Sequence, residues 1–167
     1  MTRYLLDTNI PLYLEDPTSL FFDSVKRSFQ KLQDEDQLFV SVLSLYELHY
    51  GVALRKINGS EQFAAHTLLV IEEIKKRFTI IPLSGKEAAV FGNLKAHYKA
   101  HPKRTDDKQE TIKKHDFDLI LAAIAIEYDL IMVSNDTIFQ RLSELFPKLR
   151  VENWARTEST EETKSER

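Results

Sequence analysis

The chain predicts an α/β fold, a mostly parallel sheet with helices packed on it. Three observations predict it. Five short runs rich in Leu, Ile, Val and Phe recur along the 167 residues. Segments of helical period lie between these runs, and one segment of helix length, 117–128, is apolar on nearly every face and so belongs in an interior. Strands separated by helices are joined by crossovers, and crossovers make neighbouring strands parallel. The length is that of one domain able to bury a core.

The elements follow in order. Residues 3–6 form a first apolar run and 38–42 a second; 78–81 is a third, closed by Pro82. Residues 130–134, LIMVS, make a fourth strand and 149–151 a brief fifth. Between them, 19–32 sets Val25, Phe29 and Leu32 at helical spacing, and 61–76 does the same with Phe63, Leu68, Ile71 and Ile74. Ser44 and Glu47 have the spacing of a capping box opening a helix over 44–54, and Ser84 with Glu87 repeats it before 86–98. After Trp154 the chain is polar throughout, so residues 1–154 form the folded unit and 155–167 a disordered tail.

Composition narrows the chemistry. The absence of cysteine excludes disulfides, Fe–S clusters, Cys-based zinc sites and thiol nucleophiles. No apolar run is long enough to span a bilayer, and the opening MTRYLLDTNI is not a secretory signal, so the cytoplasm is the expected compartment. The formal charge of −3 argues against a bulk polyanion binder, although four acids committed to a bound cation would leave the remainder at +1.

Four acids fall where a parallel sheet binds ligands, at or just past the carboxyl ends of its strands. Asp7 directly follows the first strand and Asp136 the fourth. Taken alone, each reads better as a helix N-cap, and Asp136 before Thr137-Ile138-Phe139 fits one well. Glu47 is one turn past the second strand, where it also reads as half of the Ser44 capping box. Asp118 opens the apolar helix, a costly place for a carboxylate without a cation or hydrogen-bond donors; Asp116 competes for its role. Clustered carboxylates raise one another's pKa unless a cation sits among them. An oxygen-only set suits Mg2+ or Mn2+, which can activate water and steady the leaving oxygen of a phosphodiester.

The segments LLDTNI, SVLSLYELHYG, DLILAAIAI, VSNDTIF and RVENW resemble, in that order, the landmarks of PIN-domain ribonucleases and especially the VapC toxins of toxin–antitoxin pairs. The resemblance runs from the N-terminus to Trp154. It implies a three-layer fold with a five-stranded sheet of order 3-2-1-4-5. It implies that Asp7, Glu47, Asp118 and Asp136 are the catalytic, metal-holding acids, with Asn9 and Ser134 as supporting polar residues and Thr8 as a further contributor. It also implies an Mg2+- or Mn2+-dependent endoribonuclease acting on structured RNA (tRNA or ribosomal RNA), an antitoxin partner and a homodimer. Products would carry 5′-phosphate and 3′-hydroxyl ends.

The chain departs from the shortest family members by extra length around 54–65, around 97–115 and in the tail. The stretch 112–117 lacks the family's Gly and small polar run, which leaves the register between Asp116 and Asp118 open; the spacing to Ala122-Ala123 favours Asp118. Residues 95–115 are rich in Lys and Arg. Lys103, Arg104, Lys113 and Lys114 are candidates for gripping RNA phosphates, with Tyr98 available to stack, and a solvated loop is the equal alternative. His97 and His101 have the spacing of a helical metal pair but no third ligand, so a surface coincidence is the better reading. His49 beside Glu47 reads as packing or exposed, and Tyr46 and Tyr50 as core or dimer contacts.

Two other readings compete. A non-catalytic PIN-like module that binds RNA or protein would show binding without turnover. A phosphatase with an aspartyl nucleophile, of the haloacid dehalogenase type, needs a second Asp two residues after the first, where this chain has Asn9.

Overall fold

The computed structural model describes residues 1–101 and 115–157. Five strands, β1 (Arg3–Leu6), β2 (Gln37–Ser41), β3 (Thr79–Ile81), β4 (Ile131–Val133) and β5 (Arg150–Glu152), form one sheet of order β3-β2-β1-β4-β5. Every neighbouring pair is parallel, and the central strand β1 pairs Tyr4–Leu6 with Ile131–Val133 on one side and Arg3–Leu6 with Gln37–Val40 on the other. The predicted strand order is the observed one.

Side chains alternate across a strand, so two buried clusters form on opposite faces. Leu5 and Met132 join one cluster and their neighbours Leu6 and Val133 the other. The Leu5 face is covered by α5 (Ala88–Ala100), α6 (Asp116–Glu127) and α7 (Thr137–Leu145) through Leu94, Leu121, Ile124 and Phe139. The Leu6 face is covered by α1 (Asn9–Glu15), α2 (Phe22–Gln30), α3 (Val42–Ile57) and α4 (Glu61–Arg77) through Ile10, Val25, Leu48 and Ile71. Helix α6 is buried along most of its length, as its uniform apolarity required.

Two helix ends explain how the chain turns back. After α6, Leu130 N–H reaches Ala125 O and Asp129 N–H reaches Ile126 O, with Asp129 at φ 52°. This is the closure normally given to glycine, here taken by an Asp, one of the few side chains that tolerate that backbone. Gly59 at φ 73° closes α3 in the same way through Ser60 N–H on Arg55 O.

Four local expectations are corrected. Helix α3 begins at Val42 with Ser41 as its cap, its hydroxyl accepting from Leu43 N–H at 3.2 Å. Ser44 is therefore inside the helix, and Glu47 is not half of a capping box. Glu87 does accept from Ser84 N–H at 3.0 Å and from its hydroxyl at 2.9 Å, but α5 begins only at Ala88, so this pair closes the turn before the helix and is not its capping box. Helix α1 has no counterpart in the sequence reading. It tolerates Pro11 because the first amides of a helix have no partner within it. At the other end Ala155 is buried and Arg156 N–H bonds the Ser24 hydroxyl at 3.1 Å, so the packed chain continues past Trp154.

Candidate active site

The parallel register brings the carboxyl ends of β1, β2 and β4 to one edge, and the loops leaving them carry acids. Asp7 is the first residue after β1, and its N–H extends the ladder to Val133 O at 3.0 Å. Asp136 lies three residues after β4 and caps α7, its Oδ1 accepting from Ile138 N–H at 3.0 Å. Glu47 stands one turn into α3 and Asp118 in the first turn of α6. All four line one cleft of about 380 Å³, with Thr8, Asn9, Leu12, Leu48, Gly51 and Arg55 completing its walls.

Each acid has a protein partner. Asp7 is 7% exposed; its Oδ2 accepts from the fully buried Ser134 hydroxyl at 2.7 Å and its Oδ1 from Thr8 N–H at 2.8 Å. Ser134 in turn accepts from Asp136 N–H at 3.0 Å, so one hydroxyl fixes two of the acids. The Thr8 hydroxyl donates to Glu47 at 2.5 Å. Asp118 meets His115 Nδ1 at 2.8 Å. Asp136 is both cap and cleft residue: the cap engages one oxygen, and a carboxylate has two.

Burial pushes the Asp7 carboxyl up to about 6, against the hydrogen bonds from Ser134 and Thr8, and the negative charges of Asp118 and Glu47 push the same way. That mutual repulsion is the electrostatic sign of acids gathered without a cation. The donor set is hard oxygen only, the chemistry that Mg2+ and Mn2+ take. Among the described residues no group of three or more acidic or histidine side chains is arranged to hold a metal ion as it stands. Mg2+ needs only one or two direct carboxylates, with water filling its other positions, so the residues fit such an ion.

Asp116 and Asp118 are placed differently. Asp116 pairs with Lys95 of α5 at 2.8 Å, whereas Asp118 faces the cleft. Asn9 lines the cleft and Ser134 orients Asp7 from beneath it. Lys103, Arg104, Lys113 and Lys114 lie outside the described residues. Tyr98 is not available to stack on a base: it is 3% exposed, covered by the Arg141 guanidinium 4.3 Å from its ring centre. Tyr46 and Tyr50 are exposed, so neither is a core residue. The His97 and His101 rings stack with centres 6.1 Å apart. The sequence reading missed Arg55. Its signal was the i+8 position from Glu47, on the same helix face.

Among the described residues no helix is long and apolar enough to cross a membrane. The family model for the PIN domain matches residues 4–145. Ribonuclease VapC2 of Haemophilus influenzae is 31% identical over 154 residues, covering 92% of this chain and 99% of its own. The structure of VapBC2 from Rickettsia felis bound to a DNA fragment from its promoter superposes with a TM-score of 0.64 at 26% identity, over 92% of this chain and 99% of that one. VapBC-1 from nontypeable Haemophilus influenzae shares the fold with a TM-score of 0.64 at 20% identity, over 93% of this chain and 100% of that one. A match of this span and identity leaves one assignment: the chain belongs to the PIN-domain family and, within it, to the VapC group.

Proposed function

We propose that this chain is an Mg2+- or Mn2+-dependent endoribonuclease, the toxin of a toxin–antitoxin pair, acting on structured RNA in the cytoplasm. One observation carries the reading: Asp7, Glu47, Asp118 and Asp136, from four separate elements, line one cleft at the carboxyl edge of the sheet. The relatives supply the reaction class, since the Haemophilus proteins are named ribonucleases. A toxin–antitoxin complex from Klebsiella pneumoniae, which shares the fold, supports an antitoxin partner.

The four acids would hold the metal, Asp7 and Asp118 being more buried than Glu47 and Asp136. Bound there, the ion supplies a water of lowered pKa and charge stabilisation at the phosphoryl oxygens. The chain's own contribution is placement. Ser134 and Thr8 fix both oxygens of Asp7, Thr8 also turns Glu47 inward, and the α7 amide fixes Asp136. Fixing these groups before substrate arrives removes reorganisation from the chemical step. The outcome is hydrolysis of a phosphodiester, leaving a 5′-phosphate and a 3′-hydroxyl. Exposed Tyr46, Tyr50 and Ile57 on α3, with Phe63 and Leu69 on α4, supply apolar surface for a homodimer or an antitoxin.

The test is cleavage of bulk transfer and ribosomal RNA by the purified protein with Mg2+ or Mn2+. Chelation and Asp7→Asn should each abolish it, and sequencing of the new RNA ends identifies the target. Cleavage unaffected by Asp7→Asn overturns the site. RNA binding without turnover at any metal concentration favours the non-catalytic module instead.

A further inference from the structure

Arg55 stands two helical turns beyond Glu47 on α3, with Gly51 between them, so Glu47, Gly51 and Arg55 share one face of that helix. All three line the acid cleft. Long helical side chains lean back over the preceding turn. That turn carries Gly51, where an added Cβ would sit 3.5 Å from Arg55 Nη1. Nη1 of the guanidinium therefore lies over Gly51, which has no side chain to displace it. From α4 the Thr67 hydroxyl accepts from Nη1 at 3.3 Å, and Thr67 is itself 9% exposed and tied to Phe63 O at 2.9 Å.

This anchoring partner is neutral. Among the described residues no carboxylate forms an ion pair with Arg55, although four acids share its cleft. A guanidinium has five N–H donors in a rigid fork, and one hydroxyl occupies one of them. The remaining donors suit a phosphate, which such a fork takes in bidentate fashion. The same side chain also borders a second groove, walled by Leu12, Tyr13, Phe63 and His66 together with two acids, Asp16 and the Arg77-paired Glu15. Arg55 thus stands where a strand leaving the acids would pass from one cleft to the next.

We propose that Arg55 is a substrate-binding residue that holds the RNA phosphate next to the scissile one, with its guanidinium seated by Thr67; this rests on the ribonuclease reading. A cleft walled by carboxylates repels a polyanion, and a cation at its edge that pairs with none of the metal-holding acids offsets that repulsion.

The test is binding of bulk transfer RNA to the Asp7→Asn protein across a salt series, with and without Arg55→Gln, Arg55→Lys and Thr67→Val. Loss of one charge-assisted contact should weaken binding by about tenfold in Arg55→Gln. The slope of log K against log salt should fall by about 0.7 to 0.9. Arg55→Lys should keep the slope and recover part of the affinity. Thr67→Val should keep the slope and lose affinity severalfold. With Asp7 intact, Arg55→Gln should raise KM and leave kcat and the Mg2+ midpoint of cleavage near wild type. An unchanged slope with a shifted Mg2+ midpoint would assign Arg55 to neutralising the acids and overturn the proposal. Unchanged slope, affinity and KM would overturn it as well. The binding arm reads Arg55 without turnover, so failure of cleavage by the wild-type protein is a separate result that removes the ribonuclease reading.

Discussion

Asp7→Asn should stabilise the metal-free protein at neutral pH while removing its function. The wild-type carboxyl is raised from 3.8 to about 6 by burial, so between these values the folded state binds more protons than the unfolded one. Stability therefore falls as pH rises through that window. The deficit is absent well below the unfolded value and complete above the folded one. At 1.36 kcal/mol for each pH unit of separation, it reaches roughly 3 kcal/mol near pH 7. Asparagine carries no charge to bury. It keeps the Thr8 N–H bond through its oxygen, but its amide meets Ser134, whose hydroxyl donates to Asp7 in the native protein. Disturbing that bond costs about 1 kcal/mol.

The net expectation is a variant more stable than wild type by about 2 kcal/mol at pH 7.5 and less stable by about 1 kcal/mol near pH 3, with a crossing between about pH 4 and 5. Urea unfolding in chelated buffer reads this through the sole tryptophan, Trp154, which is 6% exposed and packed against Tyr4 and Phe29. Mg2+ should then reverse the order. A ligand that binds only the native state adds about 2.7 kcal/mol at a hundred times its Kd, and the variant should gain little. A stability difference that is flat from pH 3 to 8 would refute the buried-acid argument. Equal stabilisation of both proteins by Mg2+ would refute Asp7 as a ligand.

Much of this was legible because strand ends and acids are local signals. Asp7 and Asp136 follow apolar runs directly, and the alternation of strands and helices places those runs in one parallel sheet. The register of Glu47 was less legible. Ser44 and Glu47 have the capping-box spacing, but Ser41 starts the helix one turn earlier, so a local pattern gave way to the strand end that fixes where α3 begins. Helix α1 was illegible because Pro11 reads as a breaker, and its tolerance depends on being within the first turn. Tyr98 looked available because it adjoins a basic run, yet its partner Arg141 lies 43 residues further along the chain. Pairings of that separation leave no periodic trace. The same holds for Arg55, whose meaning comes from Thr67 on another helix and from a cleft assembled by the sheet.

The remaining expectations are stated together. Thr8→Val should leave the urea midpoint near wild type and lower kcat severalfold, because it frees Glu47 from the Thr8 hydroxyl without opening the core. Arg141→Leu should destabilise by about 2–4 kcal/mol in urea, since it removes the bonds to Tyr98 Oη and His101 O and leaves those groups without that donor. Ser134→Ala carries the sharpest contrast with Asp7→Asn. The hydroxyl is fully buried, donates to Asp7 and accepts from Asp136 N–H, so its loss leaves a carboxylate oxygen and an amide without that partner at once. Destabilisation of about 2 kcal/mol follows at pH 7.5. The Ser134 bond lowers the Asp7 pKa, so its removal moves that pKa further up and carries the stability loss to higher pH. Ser134→Ala should therefore be weakest where the carboxylate must be charged and closest to wild type below about pH 4. Combining it with Asp7→Asn should remove most of that pH dependence, because no charge remains for Ser134 to support. A double variant as pH-dependent as Ser134→Ala alone would show that the hydroxyl acts on Asp136 and not on Asp7.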